Sequence, residues 1–288
     1  MQQRLQTLHS QFHLALCAGI ILTMQTEAPR WLRWFRIALL ALAPLCGPAA
    51  IVFVPFFALR ATLERTVERW MQTAALAISS ALQLGLFYSA QGGRSYHIAP
   101  DVLVSVLFIR HLLIPLFGRH GAGFLSAPVL AAYNAGKVPW LIAASSVAVF
   151  AAWIVAALWR WREAPAWLLI PGLTLAAVSY YGALDGGANL LHIDFGCRYS
   201  FVPQALFGLS LLAFATTRHG VVRWIATAGI VWIISTSLLE YFKPSPSYAY
   251  GPDWANEVAV WQANPAYHPA VWAPFVADWQ IDLSKPWR

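Results

Sequence analysis

Apolar residues in this chain neither alternate nor keep to one helical stripe. They come in unbroken runs, at 12–26, 37–59, 71–88, 102–118, 138–159, 167–184, 201–216 and 221–239, with polar residues gathered in the gaps. A bilayer core takes about 20 apolar residues per helix. Backbone in lipid must satisfy its own hydrogen bonds, which leaves helices or closed barrels. Barrel strands run about 10 residues with alternating polarity, whereas these runs are longer and rich in Ala and Leu. The pattern predicts an all-α, polytopic transmembrane bundle of about eight spans over residues 1–239. The first run is short, and the fourth, 102–118, is the weakest.

Past Glu240 the pattern changes. Residues 240–288 carry eleven Tyr, Phe and Trp side chains among seven prolines, and five acidic residues against three basic ones. Proline at this density forbids a long helix, and the aromatic content is too high for ordinary disorder. The expected structure is an external or interfacial cap with one short helix around 256–262. Its rings suit either the headgroup level or the face of a sugar.

Composition agrees with a membrane protein. Only 11% of residues are charged, against about 25% in a soluble domain. The net charge of +7 does not point to nucleic acid, because the arginines are scattered in short loops as topology determinants are. Cys17, Cys46 and Cys197 have no metal or redox spacing, and residues 1–11 do not read as a signal peptide.

The loops holding Arg30, Arg33 and Arg36, then Arg160 and Arg162, then Arg218 and Arg223, are short and basic. Eight spans place them on one side, cytoplasmic by the positive-inside rule, in a bacterial inner membrane. Loop 185–199 and the tail then lie outside. Arg60, Arg65 and Arg69 fall on the wrong side of that scheme. The segment RATLERTVER (60–69) reads as a solvated helical extension with i,i+4 pairing. Pro44, Gly47, Pro48 and Pro55 break the second run, either as packing kinks or as the lining of a cavity.

The richest polar cluster is ALDGGANLLHIDFGCRYSFVPQ (183–204), with Asp185, Asn189, His192, Asp194, Arg198, Tyr199 and Gln204. Arg198 offers a planar fork that matches phosphate, or else anchors at the interface. Tyr199 stands beside it. His192 and Asp194 can hold a divalent metal, work as an acid/base pair, or simply cap the loop after Gly186–Gly187. Arg110 and His111 interrupt the fourth run. Ionisable residues inside a span mark function by default; the alternative is an interfacial helix with both on its wet face. Asp101 can cap that helix. The tail acids Asp253, Glu257, Asp278 and Asp282 have no distinctive spacing. The chain has no P-loop, GxSxG, HExxH or CxxC, and its runs hold almost no carboxylates for ion coupling.

Three strings, LCGPAAIVFVPFFALR (45–60), CRYSFVPQALFGLSLL (197–212) and WQANPAYHPAVWAPFVADWQIDL (261–283), resemble a group of bacterial polytopic membrane proteins. That group looks distantly like GT-C glycosyltransferases, which take sugars from polyprenyl-phosphate donors at the outer membrane face. The resemblance implies a membrane component of cell-surface glycan assembly, with Arg198 and Tyr199 contacting the donor phosphate and headgroup. GT-C enzymes carry an acidic motif in the first external loop; here that loop is basic and holds only Glu27, which leaves two expectations: the catalytic N-terminal part is missing from this chain, or the protein is not such an enzyme. The expected partners are membrane lipid and a lipid-linked sugar. The competing readings are a lipid or glycan transporter with a cavity around Arg110, His111 and residues 44–55, and a non-catalytic scaffold subunit.

Overall fold

The computed structural model describes residues 2–89, 100–182, 190–193, 197–216, 220–242, 252–270 and 280–281, with side chains from Ser10 onward. Its elements are α1 (Gln2–Thr23), α2 (Arg30–Cys46), a 3-10 turn (Pro48–Phe53), α3 (Val54–Glu64), α4 (Val67–Ser89), α5 (Pro100–Phe108), a π turn (Ile109–Leu113), α6 (Ile114–Asn134), α7 (Trp140–Leu158), α8 (Ala164–Tyr181), α9 (Cys197–Ala215), α10 (Val221–Tyr241) and α11 (Trp254–Ala263). The described residues contain no strand beyond one bridge, Ala270 to Gln280. The chain separates into two compact units, Met1–Thr236 and Ser237–Arg288.

The run 37–59 is not a single crossing. Gly47 and Pro48 end α2 after 17 residues, since proline cannot continue a helix and restrains the residue before it. The 3-10 turn and α3 then bring the chain back. Arg36 precedes the run and donates to Gln25 O at 2.7 Å; Arg60 follows it and donates to Leu22 O. Both ends of the run therefore sit at the end of α1, and α2 through α3 is a helical hairpin. Its tip is threaded tightly. A Cβ on Gly47 would lie 2.0 Å from Gln11 Oε1 and 2.8 Å from Gln11 Cβ. Ala50, Phe53 and Phe57 on the returning arm are fully buried beside Leu22, Leu40 and Leu76.

The last turn of a helix leaves carbonyls without intrahelical partners, and arginines supply the donors here. Arg69 donates to Ile21 O at 3.2 Å and to Met24 O; its Nε reaches Glu64 at 2.7 Å and its Nη1 reaches Gln72 at 2.8 Å. Glu68 binds Arg33 at 3.0 Å and lies 3.6 Å from Arg36. The segment 60–69 is thus not one solvated helical extension. The i,i+4 pair Arg60–Glu64 forms, but Arg65 adopts a left-handed conformation (φ 54°, ψ 27°) that separates α3 from α4. Glu68 and Arg69 are buried. Burial alone raises the Glu64 carboxyl pKa, but hydrogen bonds from Arg69 and Arg60, with their charges, outweigh it and hold Glu64 below its ordinary value.

Close helix approach organises the rest of this unit. Gly172 of α8 and Gly19 of α1 both face α9. A Cβ on Gly19 would meet Leu206 at 2.7 Å, and one on Gly172 would meet Phe207 at 3.0 Å. Small residues at such crossings let backbones approach in lipid. Ser210 Oγ donates to Pro165 O at 3.2 Å and ties the start of α8 to the far part of α9. Gly118 (φ 68°, ψ −179°) breaks the stretch 100–134, in a region of backbone space open essentially to glycine.

Among the described residues, four stretches are long and apolar enough to cross a membrane: Pro100–Asn134, Trp140–Leu158, Ala164–Tyr181 and Val221–Tyr241. This is fewer than eight, for identifiable reasons. The second run folds back, α1 keeps only Ser10–Thr23 as a shorter apolar helix, and α4 and α9 carry too many polar residues. The polar residues of α4 are turned inward. Gln72, Ser79 and Ser80 of α4 are buried while Ile78, Leu82 and Leu86 are exposed. Only 6% of the apolar window of α10 is buried, although it presents Ile225, Val231, Ile234 and Leu238. In water such surface would aggregate; lipid is its natural solvent.

In the second unit, Asp253 caps α11 by accepting from Ala255 N at 3.1 Å. Glu257 accepts from Tyr267 Oη and Ala270 N, both at 2.8 Å, and so fastens the following turn to the helix. The helix expected around 256–262 is present as Trp254–Ala263. Asp278 and Asp282 lie outside the described residues.

Candidate functional site

The fourth run contains a buried polar site. Pro100 opens α5, with Asp101 in the first turn, where proline's missing N–H costs nothing and a carboxylate suits the helix dipole. At Ile109 the helix widens into a π turn that ends at Leu113. Such turns are rare and concentrate at functional sites. Arg110 and His111 sit in this turn, 1% and 4% exposed. They do not lie on a wet amphipathic face; other helices enclose them.

Arg110 is a hub for the segment that leads into α9. Its Nε and Nη2 donate to Leu190 O at 3.3 and 3.1 Å, Nη2 also to His192 O at 2.5 Å, and Nη1 to Ile193 O at 3.3 Å. Nη1 further lies 3.7 Å from Cys197 Sγ. A guanidinium carries five N–H donors in a fixed fork, and this one spreads them over three carbonyls of one non-helical segment. Backbone of that kind survives at membrane depth only when protein groups satisfy it. In return, Gln204 of α9 donates to Arg110 O at 2.7 Å.

His111 starts a second chain of contacts. Its Nε2 is 2.8 Å from Tyr180 Oη, which is 3.0 Å from Ser200 Oγ. Phe207 meets the imidazole edge-on at 4.8 Å. Three helical segments are joined through hydroxyl and imidazole protons in a buried place. If Ser200 donates to Tyr180 and Tyr180 to His111, the imidazole proton rests on Nδ1; the reverse order puts it on Nε2. His111 Nδ1 has no hydrogen-bond partner.

Arg198 and Tyr199 lie just beyond, in the first turn of α9. Arg198 is exposed; its guanidinium lies 5.0 Å from the centre of the Tyr199 ring and donates to the Tyr199 hydroxyl at 3.1 Å. Tyr199 itself is half-buried and packs against both large core clusters. The His192 side chain is exposed while its carbonyl is held by Arg110. Asp194, Asp185 and Asn189 lie outside the described residues. Among the described residues, no group of three or more His, Cys, Asp or Glu is placed to hold a metal. Ala50, Phe53 and Phe57 belong to a different core cluster from the one around the π turn.

Sequence reasoning singled out Arg110, His111 and Gln204 but passed over Tyr180 and Ser200. Their signal is faint. Ser200, Gln204 and Phe207 recur at i, i+4 and i+7 and so share one face of α9, whereas Tyr180 is one of two adjacent tyrosines at a helix end. Compared with models of known protein families, with curated proteins and with solved structures, the chain matches none.

Proposed function

We propose that this chain is a multi-pass inner-membrane component of cell-surface glycan assembly. In this reading it binds the phosphate of a polyprenyl-phosphate sugar at Arg198 and Tyr199, in a GT-C-like transfer. The observation that carries the reading is the pairing of a buried hub with an exposed fork. Arg110 fixes three carbonyls of the segment ahead of α9, and that segment ends in the helix start bearing an exposed, ring-stacked Arg198. A helix N-terminus favours anions, an arginine fork matches phosphate oxygens, and sites held by a fixed supporting shell bind best.

In this reading an acceptor hydroxyl attacks the anomeric carbon, a new glycosidic C–O bond forms, and the bond from that carbon to the phosphate oxygen breaks. Arg198 stabilises the departing polyprenyl phosphate, and the acceptor proton passes to a base, for which His192 and Asp194 are the nearest candidates in sequence. Arg223 opens α10 on the cytoplasmic side, so one crossing puts the tail after Glu240 outside. A transport reading needs a shared cavity at Arg110, His111 and residues 44–55. These fall in separate core clusters, and Arg110 is committed to carbonyls.

The test uses a strain whose surface glycan depends on this protein. Losing a charge-assisted hydrogen bond costs about 1.5–3 kcal/mol, so Arg198→Ala is expected to lower glycan output about tenfold or more at unchanged protein level, with Arg198→Lys in between. Unchanged output in Arg198→Ala sinks the proposal and leaves a scaffold role.

A further inference from the structure

The arginine-rich end where α1 stops presents a second feature, independent of Arg198. Arg33 donates through Nε to Glu68 at 3.0 Å, and its side chain is 40% exposed against 3% for Glu68. A buried carboxylate thus holds one edge of the guanidinium. Among the described residues the bond of Arg33 runs through Nε, and that grip orients its two terminal nitrogens. Glu68 is also shared with Arg36, whose Nε is buried without a partner. Arg30 and Arg65 are exposed nearby in sequence. In the two segments that meet here, 27–36 and 60–69, Arg30, Arg33, Arg36, Arg60, Arg65 and Arg69 stand against Glu27, Glu64 and Glu68, a surplus of three positive charges. Trp31, Trp34 and Trp70 on the same two helix starts are 70%, 58% and 49% exposed.

We infer that this end is a binding site for an acidic phospholipid headgroup, with Arg33 as the fork that receives its phosphate diester. Three physical facts select this occupant. Excess positive charge at the end of apolar helices attracts anionic lipid. Exposed tryptophans beside it suit the headgroup level and not water. A guanidinium already oriented by Glu68 loses little further freedom on pairing with phosphate. A soluble anion would have no use for the three rings.

The experiment measures thermal unfolding of the purified full chain in detergent, with added phosphatidylglycerol, phosphatidylcholine or inorganic phosphate. Phosphatidylglycerol is expected to raise Tm above the phosphatidylcholine value. Arg33→Gln should remove at least half of that difference, and Arg33→Lys should retain part of it. Arg119→Gln, an equal charge loss at an exposed arginine of α6 outside these segments, should leave it intact. Comparing each variant with itself in phosphatidylcholine separates lost binding from lost stability. Equal effects of the two lipids, or equal losses in Arg33→Gln and Arg119→Gln, overturn the inference. A Tm gain reproduced by inorganic phosphate overturns it in favour of a soluble anion.

Discussion

At Arg110 a single guanidinium substitutes for the secondary structure that residues 190–193 lack. Replacing it with Gln leaves the buried carbonyl of Leu190 and the partly buried carbonyls of His192 and Ile193 short of donors. A buried acceptor left without its donor costs about 1–3 kcal/mol, and Arg110→Gln is expected to cost at least that much in denaturant titration of the detergent-solubilised protein. Arg110→Lys should recover only part of it, because one ammonium cannot span three carbonyls. A loss below about 1 kcal/mol would show that Arg110 does not hold this segment. The sequence marked Arg110 and His111 as costly residues in an apolar run. It gave no sign of what would meet them. The nearest partners of Arg110 are 80 or more positions away along the chain, and the atoms involved are backbone carbonyls, which every residue has.

Among the elements, the α2–α3 hairpin is where local pattern misled most. Residues 37–59 are continuous and apolar, and a hydropathy pattern cannot tell a crossing from a turn-back of equal length. The prolines and Gly47 carried the information, since each interrupts a helix, but the direction in which the chain leaves the break is set by what it packs against. Here that is Gln11 of α1. Gly47→Ala forces a Cβ into Gln11 and is expected to cost about 1–3 kcal/mol by overpacking. Gly229→Ala, where a Cβ meets open space, should be neutral or slightly stabilising because alanine is the better helix former. Equal effects at both positions in thermal unfolding would mean that the hairpin tip is not tightly threaded. The π turn was likewise invisible in sequence, and the Gln204 side chain that meets its Arg110 carbonyl comes from another helix.

For the whole molecule, the hairpin changes the topology. Arg30–Arg36 and Arg60–Arg69 seemed to lie on opposite sides when every run was counted as a crossing. Their shared partners, Glu68 and the last carbonyls of α1, put them at one end. In a background lacking Cys17, Cys46 and Cys197, Glu27→Cys and Arg65→Cys should therefore react with a membrane-impermeant maleimide from the same face of sealed vesicles. Labelling from opposite faces would contradict the hairpin. The same network explains why so many arginines cluster there: they terminate α1 and position Glu64 and Glu68.

Hydropathy alone determined the solvent, the helical class and the change of character after Glu240. These follow from the cost of leaving backbone unsatisfied in hydrocarbon, which is paid locally and shows in each stretch of sequence by itself. Composition also exposed the expensive residues, Arg69 aside, because a charge in an apolar run stands out wherever it points. Which runs cross, which fold back, and which carbonyls receive Arg69 and Arg110 were decided only by tertiary structure. Those outcomes depend on contacts between residues far apart in the chain, and on directional donors finding acceptors that carry no side-chain signature.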